Sequence, residues 1–198
     1  MITKWSELPM GKFLEIQAID DTDELQIALK INAILNDMTV DELLASPLAD
    51  VTKMSKAREF LVKRPLTRIT RKRYRLGDTV YTFDADPFKI LTSQFIDFES
   101  LDRKDVVGAL AIFLIPEGHK YNDGYDLEKV KADIRQHLSA EDGLSITSFF
   151  TILLGLLYRR AIRKARRALK KARKAGVPTE TAEKAIQELR QDRRFLRG

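Results

Sequence analysis

One short stretch of the sequence carries residue types that could perform acid–base chemistry. Between positions 117 and 125 it brings together an imidazole, carboxylates, an amide and two phenols: Glu117, His119, Tyr121, Asn122, Asp123 and Tyr125. Imidazole and carboxylate groups are the usual general acids and bases of enzymes. The alternative is a turn, shaped by its Asn-Asp-Gly sequence and anchored by the two tyrosines. We favour the turn, and we predict no catalytic residue and a protein that is not an enzyme.

Several other classes of chemistry lack the residues that they need. The chain has no cysteine and only two histidines, His119 and His137. This composition excludes disulfides, thiolate zinc sites, iron–sulfur clusters, cysteine nucleophiles and three-histidine metal sites. No phosphate-binding glycine loop, dinucleotide fingerprint, serine elbow or His-Glu-x-x-His motif occurs. The acidic run 20–24 fits a helix cap better than a calcium loop, which needs a glycine and a distal glutamate. We therefore expect no cofactor and no metal ion.

The strongest signal in the sequence is the distribution of its charge. The formal net charge of the chain is +6. Residues 158–198 contain 15 Lys and Arg against 4 Asp and Glu, whereas residues 1–157 contain 20 against 25. Such asymmetry points to a polyanion or an acidic partner. The candidate binding residues are the ten basic side chains of a run without any acid: Arg159, Arg160, Arg163, Lys164, Arg166, Arg167, Lys170, Lys171, Arg173 and Lys174.

Three interpretations of this basic run stay open. It is a solvated face of a helix docked by its alanine and leucine stripe, or a surface that neutralises nucleic-acid phosphates, or an interaction helix that meets an acidic partner or another copy of the chain. Against nucleic acid, no aromatic residue interleaves with the basic ones to stack on bases. The apolar run 144–158 is too short to span a membrane. The mostly alanine stripe beyond Tyr158 also disfavours a membrane-surface helix.

Around this helix the patterns predict an α+β fold that is mostly α-helical. A small β-hairpin turning at Gly77-Asp78, joined by a strand over 13–19, packs on a helical core that carries a long basic C-terminal helix. Helix caps are predicted at the acidic run 20–24, at Asp102 and at Asp126, with a capping box at Thr39. The helix that Asp102 caps is predicted to run from Val106 to Ile115 and to end at Pro116. We place a mixed α+β body at 1–143 and a basic C-terminal helical segment at 144–198, whose long helix begins at Ser145 and ends at Gly176 and is followed by a short final helix over about 180–194.

Five short motifs follow one another between residues 4 and 150: Lys4-Trp5-x-x-Leu8-Pro9, Leu76-Gly77-Asp78-x-x-Tyr81, Gln94-Phe95-x-Asp97, Pro116-Glu117-Gly118 and Ser148-Phe149-Phe150. In these motifs and their order the chain resembles the tail-assembly-chaperone-like or virion structural proteins of tailed bacteriophages that infect gut Bacteroidales. None of these motifs is a chemical signature, and the family offers no catalytic residue to transfer.

The resemblance implies a non-enzymatic role in bacteriophage assembly or in the virion, through protein–protein contacts. The partners that it implies are phage structural proteins, such as the tape-measure protein or tail and head components. It implies a location in the host cytoplasm during assembly, or in the virion. Self-association and nucleic-acid binding through the same basic helix stay open, the latter in a nucleic-acid-binding protein or a packaged virion cargo protein.

Overall fold

The fold is mostly α-helical, with one small antiparallel sheet. The structure is a computed structural model that describes residues 1–65, 71–86, 89–102, 104–174, 183, 184 and 187, with the backbone alone at 151–154, 156–158, 161 and 173. The described elements are α1 (Met10–Gln17), α2 (Glu24–Leu35), α3 (Val40–Leu44), α4 (Leu48–Ala57), β1 (Arg73–Leu76), β2 (Thr79–Thr82), α5 (Thr92–Ser100), α6 (Val106–Phe113), β3 (Ile115–Pro116), α7 (Leu127–His137) and α8 (Ala140–Lys174). The chain divides into two compact units, 1–147 and 148–198.

The predicted strand over 13–19 is wrong, because this segment forms most of α1. Its alternating apolar residues also satisfy a helical spacing, in which Met10, Phe13 and Ile16 recur every three residues. Met10 is fully buried, and Phe13 and Ile16 pack on an apolar cluster centred on Leu8. Seven residues of sequence fit both the two-residue period of a strand and the 3.6-residue period of a helix, and burial on one face selects the helix.

Three of the four predicted capping signals begin a helix, including Asp126 at the start of α7. The Asp23 side chain accepts from the Leu25 amide at the start of α2. Thr39 and Glu42 form the full capping box of α3, with the Thr39 amide donating to Glu42 at 2.7 Å. The predicted cap at Asp102 is wrong. Asp105, three residues later, accepts from the Gly108 amide and begins α6, because Asp102 instead accepts from the Lys104 amide in the preceding turn.

The hairpin forms where the sequence predicts it, but its third strand is different. β1 and β2 pair antiparallel with Leu76 opposite Thr79, so Gly77 and Asp78 make the turn. Gly77 has a φ of +58°, which favours glycine. The third strand is β3, which pairs with β2, because α6 ends at Phe113 rather than running to Pro116. The predicted residues 68–70 lie outside the described part of the chain.

A short backbone bridge joins the start of α1 to the junction between α7 and α8. The Met10 amide donates to the Leu138 carbonyl and the Ala140 amide donates to the Leu8 carbonyl, both at 2.7 Å. All four residues are at least 99% buried. A Cβ on Gly11 would lie 2.9 Å from the Arg135 carbonyl oxygen. The close approach of α1 to α7 therefore requires glycine at position 11.

We predict that Gly11→Ala destabilises the protein by about 1–3 kcal/mol, since the added methyl group overpacks a backbone contact that cannot rotate away. Chemical denaturation monitored by circular dichroism measures this loss. The matched control is Gly155→Ala in α8, where no atom of a described residue lies within 4 Å of the new Cβ. The control is expected to leave stability unchanged or to raise it. Equal stabilities for the two variants would contradict the close contact at Gly11.

Candidate functional site

The helix that carries the candidate residues begins earlier than predicted. α8 begins at Ala140, not at Ser145. Ser139 precedes it and acts as the cap: its hydroxyl accepts from the Asp142 amide and donates to the Asp142 carboxylate. Ser145 instead donates to the Glu141 carbonyl within the first turns. The start was predicted at Ser145 because that serine lies within the apolar run that begins at 144, whereas Ser139 lies ahead of it. The predicted end at Gly176 and the predicted final helix at 180–194 lie outside the described ranges, apart from residues 183, 184 and 187.

All ten candidate basic residues lie on α8. Nine of them have described side chains, and every one of the nine is exposed: Arg159, Arg160, Arg163, Lys164, Arg166, Arg167, Lys170, Lys171 and Lys174. Arg173 lies on the same helix, and the structure describes its backbone alone. Sixteen helical residues rise about 24 Å. The helix therefore presents one cation for about every 2.4 Å of its length, without an acidic side chain among them.

The less exposed residues of this segment follow one side of the helix. Ile162 is buried, and Ala165, Leu169 and Ala172 are half-buried at spacings of three to four residues. Ala168, which the sequence assigns to the same stripe, is exposed instead. The segment is therefore amphipathic, with a narrow small-residue stripe bordered by basic residues.

Repulsion within the helix is the main electrostatic cost of this surface. Positively charged residues recur four positions apart, as in Arg159/Arg163 and Arg163/Arg167, and like charges at this spacing weaken a helix. One contact offsets part of this cost, because Arg163 Nε donates to the Arg159 carbonyl oxygen at 3.3 Å. An anionic surface beside the helix would relieve the remaining repulsion.

A second cationic patch on β1 is largely neutralised within the body. Arg73 and Arg75 are exposed while Tyr74 is buried, as the alternation of the strand predicts. Arg73 forms an ion pair with Glu117, and Arg71 lies 3.5 Å from Asp142. Both acidic partners come from distant parts of the sequence, so no local pattern signals these pairs. The strand therefore offers less free positive charge than α8.

The contacts in the loop 117–125 are those of an anchored turn. The Tyr121 hydroxyl donates to the Asp97 carboxylate at 2.5 Å, and the Tyr125 ring meets the His119 ring edge to face. Burial, followed by this bond to Asp97, raises the pKa of Tyr121. Asn122 has a φ of +65°, which suits a tight turn. His119 is exposed, and its contact with Tyr125 gives it a packing role in the turn.

A partly buried polar network between the hairpin and α7 was not predicted from the sequence. The Tyr81 hydroxyl donates to Asp133 at 2.6 Å, and Lys129 donates to both Asp133 and Thr79. Burial acts to raise the pKa of Asp133, but the hydrogen bonds from Lys129 and Tyr81 outweigh it and lower that pKa. The spacing of Lys129 and Asp133 on one helix is a sequence signal that could have revealed part of it. The network ties the sheet to α7.

Other kinds of site find no support in the described part of the chain. Across it, no group of three or more histidine and carboxylate side chains is placed to hold a metal ion. Every helix in it is too short or too polar to cross a bilayer. Comparison of the chain with protein-family models, with curated proteins and with solved structures finds no match. The exposed basic surface of α8 is the strongest candidate site.

We predict that Arg163→Glu orders the C-terminal half of α8, because it replaces two repulsive pairs with attractive ones at Arg159 and Arg167. Amide hydrogen exchange over 159–174 should slow several-fold in the full chain at low salt. Arg163→Gln, which removes the charge without reversing it, should give a smaller slowing. Exchange rates that are the same in wild type and both variants would show that like-charge repulsion does not limit this helix.

Proposed function

We propose that this protein is a non-enzymatic assembly or structural protein of a tailed bacteriophage, acting through protein–protein contacts made by α8. The observation that carries the proposal is the exposed basic surface formed by residues 159–174 of α8. The phage setting rests on the resemblance of the five motifs between residues 4 and 150. The partner is an acidic surface on a phage structural protein, such as the tape-measure protein or a tail or head component.

Two physical arguments favour a protein partner. The apolar stripe of Ala165, Leu169 and Ala172 gives the helix a face that can pack on another protein. The segment also has no aromatic residue between 159 and 174, so it lacks the stacking platform of single-strand binders. An acidic protein surface with some apolar area satisfies both the charge and the stripe.

Mixing the purified protein with candidate tail and head proteins tests this proposal, with light scattering as the measurement. We expect association at low salt that weakens as salt rises. It should be lost when six α8 residues become alanine: Arg159, Arg160, Arg163, Lys164, Arg166 and Arg167. The matched control removes six exposed charges from the body: Lys53, Lys56, Lys63, Arg64, Lys104 and Lys120. Association that is absent at every salt concentration, or lost equally in the control, would refute the proposal.

The second candidate function is nucleic-acid binding through the same surface. The density of cations along α8 favours it, because a rigid basic helix can neutralise several phosphates at once. We predict that affinity for a DNA duplex falls steeply with salt. The slope of log K against log salt should become shallower by about 5 in the six-alanine variant of α8 if each residue contacts one phosphate. Equal slopes for the wild type and this variant would exclude α8 as the DNA-binding element.

A further inference from the structure

A groove runs between α2 and a 3-10 turn that follows α4, Arg58–Val62. It encloses about 560 Å³. Ile27, Ala28 and Ile31 line one wall, and Leu61 and Val62 line the other. Its base is the outer side of the apolar cluster, since Ile31 and Leu61 both pack there. Val62 is 88% exposed, so the groove presents apolar surface that the described residues leave in contact with water.

Hydrogen bonds hold the walls of this groove in place. The Trp5 indole Nε1 donates to the carbonyls of Phe60 and Lys63, at 3.1 and 2.7 Å, and so fixes the end of the 3-10 turn. The Arg58 guanidinium crosses to the other wall and donates to the Ala28 carbonyl at 3.0 Å. A groove that is already ordered loses little conformational entropy when a ligand enters it.

Each wall of the groove carries one exposed carboxylate. Glu24 lies on α2 and Glu59 lies on the 3-10 turn. Neither is in an ion pair with any residue that the structure describes. The one cation of the lining, Arg58, is directed onto the Ala28 carbonyl instead. The acidic run 20–24 adds further negative charge at one end. The groove therefore fits an amphipathic helix with a basic border.

The C-terminal half of α8 has the complementary pattern. The stripe consists of Ala165, Leu169 and Ala172 and covers seven residue steps, or about 10 Å. The helical rise from Glu24 to Ile31 on α2 is the same. At about 100° per residue, Lys164 and Arg166 lie on opposite sides of this stripe, and Lys171 lies on the same side as Lys164. A helix laid in the groove would bring basic residues against both acidic walls.

We propose that this groove receives residues 164–172 of α8 from a second copy of the chain. The inference rests on the proposed function, in which the basic surface of α8 meets an acidic protein surface, and it identifies one such surface. The groove and the helix are different surfaces, so the interface is heterologous, and each copy can bind one neighbour and be bound by another. Such an interface builds a ring or a chain of copies, or a reciprocal pair.

Two charge-reversal variants of the full chain test this inference. The groove variant is Glu24→Lys with Glu59→Lys, and the helix variant is Lys164→Glu with Arg166→Glu and Lys171→Glu. Light scattering should give a mass above the monomer for wild type at low salt and a monomer for each variant alone. Like charges across an interface oppose association, so each variant should weaken association about tenfold or more. Mixing the two variants should restore association, because the intact groove of one variant then meets the intact helix of the other, and the two reversed surfaces also carry opposite charges.

Matched controls separate this docking from general charge effects. Glu15→Lys with Glu99→Lys makes the same charge change at exposed helical sites outside the groove. Arg75→Glu with Lys104→Glu and Lys120→Glu makes the same charge change as the helix variant at exposed sites of the body, outside α8 and the groove. Both controls should assemble as wild type does. A lysine at position 24 opposes the helix dipole, so the variant Glu59→Lys with Val62→Asp probes the groove without changing α2.

Three outcomes overturn the docking inference: a wild-type monomer at low salt, groove variants that assemble like wild type, or variants that form no mixed pair. None of these refutes the proposed function, which is tested separately with phage structural proteins. A groove variant that keeps its affinity for such a partner while the helix variant loses it would support the proposed function, because the partner meets α8. Unchanged partner affinity in the helix variant would refute the proposed function, and the groove is judged by the mass of the assemblies alone.

Discussion

The body of this protein depends on two short hydrogen bonds that cross between the ends of its described first unit. They join Leu8 and Met10 to Leu138 and Ala140 in a setting from which water is excluded. Backbone groups left unpaired in such a place would each cost about 1–3 kcal/mol. The bridge therefore fixes the entry to α1 and the exit from α7 together. The apolar cluster around Leu8 forms where these two segments meet.

Several acidic residues of the body cap helices, which explains in part why negative charge is concentrated in residues 1–157. Asp23, Asp105 and Asp126 each accept hydrogen bonds from the first amides of a helix. A carboxylate at a helix N-terminus is favoured both by these bonds and by the helix dipole. Such residues keep the body acidic without forming a binding site. The described side chains of the basic run of α8 are exposed instead, so their dense positive charge is open to an anionic partner.

Local chemistry made part of this fold predictable from the sequence. A capping box, a glycine hairpin turn and an aspartate before an apolar run each act within about four residues, and the elements at Thr39, Gly77 and Asp126 follow from them. The exposed basic surface of α8 was likewise predictable, because lysine and arginine side chains without acidic neighbours are rarely buried. The start of that helix was not, since Ser139 caps it ahead of the apolar run.

Tertiary contacts account for what the sequence could not reveal. The hydrophobic pattern of residues 13–19 fits both a strand and a helix, and packing against the apolar cluster favours the helix. The third strand depends on where α6 ends, and the ion pairs of Arg71 and Arg73 join residues more than forty positions apart. The groove beside α2 is the same kind of feature. Its walls come from two helical segments distant in the sequence, which Arg58 joins through the Ala28 carbonyl while Trp5 holds the end of the 3-10 turn.

Salt has two opposing effects on the basic helix, and their balance sets how the affinity of α8 for an acidic surface depends on salt concentration. Screening weakens attraction to an acidic surface, but it also relieves repulsion between neighbours such as Arg163 and Arg167 within the helix. Each internal pair is worth only a few tenths of a kcal/mol, whereas opposed charges at a partly desolvated interface are worth more. Binding should therefore weaken with salt overall while the helix itself becomes more ordered. An acidic partner in contact with α8 reduces the repulsion between its basic residues, as salt does by screening. Ordering of α8 and binding of the partner are therefore thermodynamically linked.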